Sequence, residues 1–226
     1  MSAAASPEQI VRDGPATGPA VLFVLPLFEE ANRLRRTVRL AMRALAERGV
    51  GSILPDLPGQ NESLVPTVDA TLTNWRAALA GHIANADRPV LVASIRGGAL
   101  IDDIAGAARW RLAPVRGASL LKTMMRTRIA GDREAGLDTS MAELEAKATN
   151  EAVRLAGNVL SPAMIAQLRV AEPAALAPCR DVALGAGDNA LPGRPLWLQA
   201  EPGEDAGLAT AIANDINAWM TSCEII

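Results

Sequence analysis

Three short stretches of the chain carry side chains whose types and spacing could do chemistry together: Phe28-Glu29-Glu30-Ala31-Asn32, Asp56 with the turn that follows it, and Ser94-Ile95-Arg96-Gly97-Gly98. The third has the layout of a nucleophile elbow, a strand and a tight turn ahead of a helix, whose usual pattern is G-x-S-x-G. Two registers fit, one with Ile95 at the apex and one with Arg96. The apex of such a turn takes a positive φ, which is especially costly for a β-branched residue, so Arg96 is favoured. Neither side chain attacks a carbonyl. Ser94 is the remaining hydroxyl, but a serine needs a base to take its proton. The single histidine, His82, falls late in the helix before the strand. Five strand residues separate that level from the elbow by roughly 16 Å. No histidine follows the elbow, where the order Ser, acid, His requires one. Ser-His-acid catalysis is not expected.

Other chemistry remains open. Arg96, at the start of the expected helix, would add a guanidinium to free N–H groups and the positive end of the helix dipole, a cradle for phosphate, sulfate or carboxylate. Gly97, Gly98, Phe28 and Asn32 would complete this small anion site. In the competing reading Glu29 or Glu30 reaches across and neutralises Arg96, because a buried charge needs a partner. A third reading makes Glu29, Glu30 or Asp56 an acid or base, with N–H groups near Phe28 and Gly97 as an oxyanion hole. Carboxylates beside a helix start also serve as caps or dipole partners. A scaffold, as a homodimer or paired with a related hydrolase, is the fourth. No metal or cofactor is expected.

The elements that must position these residues alternate. Val21–Leu25 is a continuous apolar run, as in a strand covered on both faces. Asn32 is read as the N-cap of a helix through Leu34, Val38, Ala41, Met42 and Leu45, which Gly49 closes. Ser52–Asp56 is a second strand, Val68–Ile83 a second helix and Val90–Ser94 a third strand. Ala99–Ala108 reads as a small-residue helix, Val115–Ile129 as a short strand or turn feeding another helix, Ser161-Pro162 as a helix start, Val182–Leu184 and Leu196–Leu198 as late strands, and Gly207–Met220 as the closing helix. The expectation is a three-layer α/β fold with a mostly parallel central sheet. Residues 1–19 read as a loose leader, 20–226 as one domain, and 131–157 as a polar, helical or mobile excursion that could act as a lid.

Composition narrows the partners. The chain has 226 residues, 22 Lys+Arg against 25 Asp+Glu, and a formal charge of -3, without the basic excess that nucleic acid usually demands. The longest uncharged run, Gly14–Phe28, is interrupted by three prolines and falls short of the roughly 18 apolar residues of a membrane helix. Cys179 and Cys223 form no framework and no metal spacing, consistent with inert thiols of a cytoplasmic protein.

Taken in order, several motifs resemble one family. Pro26-Leu27-Phe28-Glu29-Glu30-Ala31-Asn32 with Arg35-Arg36 looks like its P-F-x-E-E-x-N-K-x-R-R stretch. Asp56-Leu57-Pro58-Gly59 is similar to its D-L-x-G turn, and Ser94–Leu100 to its G-L-R-x-G-A-L elbow. Trp110, Pro114, Gly117, Arg126 and Arg128 match a W-x-P-x-x-G segment ending in L-R-x-R, and Leu155-Ala156-Gly157 with Leu160-Ser161-Pro162 its A-G-Y-x-L-S-P. The family is the second type of exosortase A system-associated hydrolases, within the α/β-hydrolase superfamily, and the likeness runs from about Val21 to Trp219. It implies an α/β-hydrolase fold in a Gram-negative bacterium, in a setting of exopolysaccharide production and protein sorting. The family's own elbow carries Arg. The sequence departs at Arg33 for Lys, at Asn158 for Tyr, and in a short segment between Val182 and Trp197, where an acid would otherwise sit.

Overall fold

The computed structural model describes residues 9–225. In chain order the elements are β1 (Ile10–Asp13), β2 (Ala20–Val24), α1 (Glu29–Ala46), β3 (Gly51–Pro55), α2 (Leu72–Ala84), β4 (Val90–Ile95), β5 (Ala108–Leu112), α3 (Gly117–Glu134), α4 (Met141–Asn150), β6 (Val153–Leu155), β7 (Asn158–Leu160), α5 (Pro162–Val170), β8 (Cys179–Leu184), β9 (Ala190–Leu191) and α6 (Ala206–Ser222). Seven strands form one sheet in the order β1-β3-β2-β4-β5-β8-β9, parallel throughout except for β1. The mostly parallel three-layer fold expected from the sequence is what the chain adopts.

The two-residue period of each strand divides its side chains between two cores. Val21 and Phe23 of β2, Leu91, Ala93 and Ile95 of β4, and Trp110 and Leu112 of β5 face α1 and α6. Leu22, Val24 and Val92 face the other layer, built from α2, α3, α4 and α5. Helix α6 is also fixed by polar contacts. Asp215 accepts from Trp110 Nε1 at 2.6 Å and from both Nε and Nη2 of Arg180, and Trp219 Nε1 donates to the Arg109 carbonyl.

Several expectations are corrected. Ala99–Ala108 is not a helix: a 3-10 turn, Arg96–Leu100, follows β4, an irregular loop follows that, and Ala108 opens β5. The sequence Ala-Arg-Trp-Arg-Leu hides this strand because its arginines alternate with apolar residues on a face that proves buried. Arg109 is 3% exposed, and the preceding loop wraps it, its donors meeting the carbonyls of Asp102, Ala107 and Ile104. Leu196–Leu198 is a 3-10 turn rather than a strand. Asn32 lies inside the first turn of α1, whose N-cap is Phe28. Of the leader, residues 1–8 lie outside the described residues, and Ile10–Asp13 pairs antiparallel with β3, Ile10 opposite Pro55. The 131–157 stretch contains the end of α3, a helix α4 with a full Ser140/Glu143 capping box, and the first strand of the β6–β7 hairpin. Among the described residues no helix is long and apolar enough to cross a membrane.

The turn after β4 depends on close approach of main chains. A Cβ added at Gly98 would stand 2.7 Å from the carbonyl oxygens of both Val24 and Leu25, backbone atoms that cannot rotate away. Gly98→Ala is therefore expected to lower stability by about 1–3 kcal/mol, as overpacking does, read as a fall in the urea midpoint with unchanged slope.

Candidate functional site

Because β2, β3, β4 and β5 are parallel, the loops leaving them open on one edge of the sheet, where ligands gather in open α/β folds. Strain collects on the same edge. Among the described residues, six non-glycine residues have left-handed φ, and four of them follow these strands: Phe28 at 61°, Asn61 at 48°, Arg96 at 54° and Ala113 at 46°. A fifth, Ala156 at 44°, turns the β6–β7 hairpin. Each such residue costs on the order of 1–3 kcal/mol and persists where surrounding contacts enforce it. The clustering marks this edge as the candidate site.

Arg96 stands at the apex of the turn after β4. Its Nε and Nη2 donate to Glu30 Oε2 and Oε1, both at 3.3 Å, and its guanidinium lies 4.7 Å from the centroid of the Trp197 ring. The Trp197 carbonyl in turn accepts from Arg33 Nη1 at 2.7 Å. Of the two glutamates weighed as partners, Glu30 makes the internal pair. It is 5% exposed, and a buried ion pair of this kind needs both partners in place. The N–H cradle expected behind Arg96 is not present as imagined, since the 3-10 turn there is five residues long and no α-helix follows. Gly97 and Gly98 are buried, one against Leu27 and Leu120 and the other against the carbonyls of Val24 and Leu25, and both serve packing.

Ser94 is displaced from the crevice. Its register partner on β5 is Arg111, so both side chains project on the same face of the sheet. Between them sits Asp102, fully buried, accepting from Ser94 Oγ at 2.6 Å and from Arg111 Nε and Nη2 at 2.8 and 2.7 Å. Ser94 is a polar anchor in a charge network, its hydroxyl donating to a carboxylate that Arg111 already holds, with no histidine in that network. The network was not read from the sequence; the signal for it was Asp102 with Arg109 and Arg111 seven and nine residues on. His82 lies toward the opposite edge, on the wall of a cavity with Arg12, Asn85 and Asp87. Burial, helped by the Arg12 guanidinium, holds its pKa below the usual value. Burial pushes the Cys179 thiol up to about 11, as befits an inert cysteine.

The other candidate carboxylates divide cleanly. Asp56 is 2% exposed and accepts from Arg35 Nη1 at 3.0 Å and Asn61 Nδ2 at 2.7 Å, so it is an anchor for the loop after β3. Trp75 of α2 ties that loop to the α1 start, donating to the Pro58 carbonyl and packing on Phe28 at 5.6 Å between ring centroids. Glu29 is the uncommitted one. Burial raises its pKa, against the effect of its own backbone N–H, and Oε2 is buried without a partner. It lines a cleft of about 330 Å3 with Asn32, Gln60, Asn61 and Asn158. A larger, mostly apolar cavity of about 680 Å3 opens between the ends of β5 and β8 and reaches Trp197. Among the described residues no three His, Cys, Asp or Glu side chains gather as a metal would need.

No family model matches the chain, and no curated protein does. Solved structures do. A protein of Agrobacterium vitis S4 carrying a provisional hydrolase name superposes with a TM-score of 0.57 over 92% of this chain and 91% of that one, at 17% identity. Est1E of Butyrivibrio proteoclasticus, solved with ferulic acid, matches 71% of this chain and 66% of its own, with TM-score 0.49 and 18% identity. Potato (Solanum tuberosum) epoxide hydrolase I matches 51% of this chain and 41% of its own, with TM-score 0.38 and 24% identity. The chain thus spans about two thirds of Est1E and two fifths of the potato enzyme. At 17% identity the likeness to the Agrobacterium vitis protein is one of fold alone, that of a three-layer α/β-hydrolase-like chain.

Two outcomes follow for stability. Asp102→Ala strands Arg111 in the core, and breaking a buried pair costs about 3–5 kcal/mol, measurable by chemical denaturation. Glu29→Gln acts in the opposite sense. A carboxyl whose folded pKa is raised stabilises the fold only while protonated, and that contribution is lost as pH rises through the folded value. The variant is therefore more stable than the parent at neutral pH, and the gain fades as pH falls through the raised folded value of Glu29 and is gone below about 4.3, the ordinary glutamate value.

Proposed function

We propose that this α/β-hydrolase-fold chain is a binding protein without a serine nucleophile, and that it receives a small carboxylate or phosphate at Arg96. The observation that carries the reading is the cation at the elbow apex, where a hydrolase of this fold places its attacking oxygen. Two further features support it. Ser94 is spent on Asp102, a carboxylate that is itself held by Arg111 in place of the histidine a serine nucleophile would use. The Arg96–Glu30 contacts, at 3.3 Å, are long for charge-assisted bonds, which usually fall near 2.7–2.9 Å. The Arg111–Asp102 pair of the same protein meets that standard at 2.7 Å. An incoming anion competes against a loose partner at Arg96 and would meet a tight one at Arg111.

The motif resemblance to the exosortase A system-associated hydrolases supports placing the protein in a bacterial cytoplasm, in exopolysaccharide production and protein sorting, alone, as a homodimer, or beside a related hydrolase. Asn32 sits on the rim of the neighbouring cleft, within the same edge. A second reading, residual acid–base hydrolysis, is favoured by one observation. With Glu30 bound to Arg96 and Asp56 to Arg35, Glu29 is the candidate carboxylate without a cation, and its Oε2 is buried without a partner.

The experiment combines a fluorophosphonate probe, a panel of p-nitrophenyl esters, and thermal unfolding in inorganic phosphate and acetate. The expected result is no labelling, no turnover, and anion-dependent stabilisation that disappears in Arg96→Ala and grows in Glu30→Gln, each read against that variant's own baseline. Covalent labelling of Ser94, or phosphate stabilisation that survives Arg96→Ala, would overturn the reading. Ester turnover lost in Glu29→Gln would establish the second.

A further inference from the structure

The cleft beside Glu29 has a chemical character opposite to that of the elbow. Four of the side chains that line it turn a polar hydrogen toward the protein. Asn61 Nδ2 donates to Asp56 at 2.7 Å, Asn158 Nδ2 to the Ala156 carbonyl at 2.9 Å, Thr67 Oγ1 to the Gly59 carbonyl at 2.8 Å, and Gln60 Nε2 to that same carbonyl at 3.5 Å. Their side-chain oxygens are left without a donor among the described residues. Glu29 Oε2 is in the same condition and is buried as well. An acceptor so placed costs about 1–3 kcal/mol unless a donor arrives, and more if it is charged. No lysine or arginine lines the cleft.

From this inventory we infer that the 330 Å3 cleft between the α1 start, the loop after β3 and the β6–β7 hairpin binds a small molecule through a primary ammonium group, with Glu29 as its charged partner. An ammonium offers three donors and no acceptor, the complement of a site whose lining side chains keep oxygens without hydrogens. Its charge removes the penalty that burial places on the ionised Glu29 carboxyl. Asn32, exposed on the rim, keeps its amide free for an acceptor elsewhere on the same ligand, such as a hydroxyl. The hairpin turn holds Ala156 at a φ of 44° where it borders the cleft, a strained wall of the kind that marks ligand clamps. This site goes beyond the anion reading and does not depend on it, since it uses none of the donors of Arg96.

The test is calorimetric or NMR titration of the full chain with ethanolammonium, with ethylene glycol as the neutral isostere. Ethanolammonium is expected to bind one to one, about tenfold or more tighter than ethylene glycol. Glu29→Gln should weaken it by a similar factor while leaving the phosphate response of Arg96 intact. Asn158→Asp, which adds a second carboxylate to the wall, should tighten it. Arg96→Ala should leave it unchanged, so the two sites succeed or fail separately. Equal binding of ethylene glycol, unchanged affinity in Glu29→Gln, weaker binding in Asn158→Asp, or no ethanolammonium response on the order of 50 mM would overturn the inference.

Discussion

The guanidinium at the apex of the fourth strand's turn is the constraint around which the edge of this molecule is arranged. A left-handed arginine there projects a permanent positive charge among the ends of four strands, partly open to solvent on one side and facing the buried Glu30 on the other. Two consequences are visible in the structure. Helix α1 begins with a glutamate pair, so that Glu30 can meet the guanidinium, and the loop before α6 carries Trp197 under its planar face. The stacking accounts for a 3-10 turn at Leu196–Leu198, which holds the indole against the elbow, with Arg33 fixing the Trp197 carbonyl from α1.

A second arginine–carboxylate pair lies one layer deeper, and comparing the two separates architecture from chemistry. Arg111 and Asp102 meet in a short fork, almost wholly enclosed, with Ser94 and the Ala174 carbonyl completing the hydrogen bonds. Such a pair holds β4, β5 and the loop between them in one register, with Nε and Nη2 of Arg111 committed to Asp102 and the Ala174 carbonyl. The Arg96–Glu30 pair is longer, partly open at the arginine, and supported on one face by a ring rather than by donors and acceptors. Burial and short contacts suit an immobile support. Length and partial exposure suit a group that must exchange partners.

The strands were legible where both faces are apolar. Val21–Leu25 and Val90–Ser94 read as buried strands because they carry no polar interruption, and their parallel order followed from the helices between them. Strand β5 was not legible, because arginines at every second position resemble a solvent face, and only tertiary contacts to Asp102 make them buried. The same contacts explain why Ala99–Ala108 is not helical: its carbonyls are drawn toward Arg109 and cannot serve a helical ladder. At the site, the choice of Arg96 over Ile95 at the apex followed from backbone cost, and the remoteness of His82 from its place late in the helix and the rise of the strand that follows. Which glutamate meets Arg96, and that Asp56 is claimed by Arg35, depend on side-chain reach across elements and had no local signal.

The glutamate pair shows how a helix divides one polar edge into two. Successive residues on a helix point about 100° apart, so Glu29 and Glu30 cannot both face the same cation. Once Glu30 is turned to the elbow, Glu29 is turned toward the hairpin and the loop after β3, among amides whose hydrogens are already spent. Its own backbone N–H supplies a single donor, Arg33 acts from a distance, and the nearby Glu30 opposes its ionisation. The helix start, which ordinarily welcomes a carboxylate, is therefore offset by burial at this position. One side of the crevice is left with a loosely paired cation and the other with an unpaired acid. The separation is dictated by helical geometry, so that moving the arginine or either glutamate by one residue would merge the two regions.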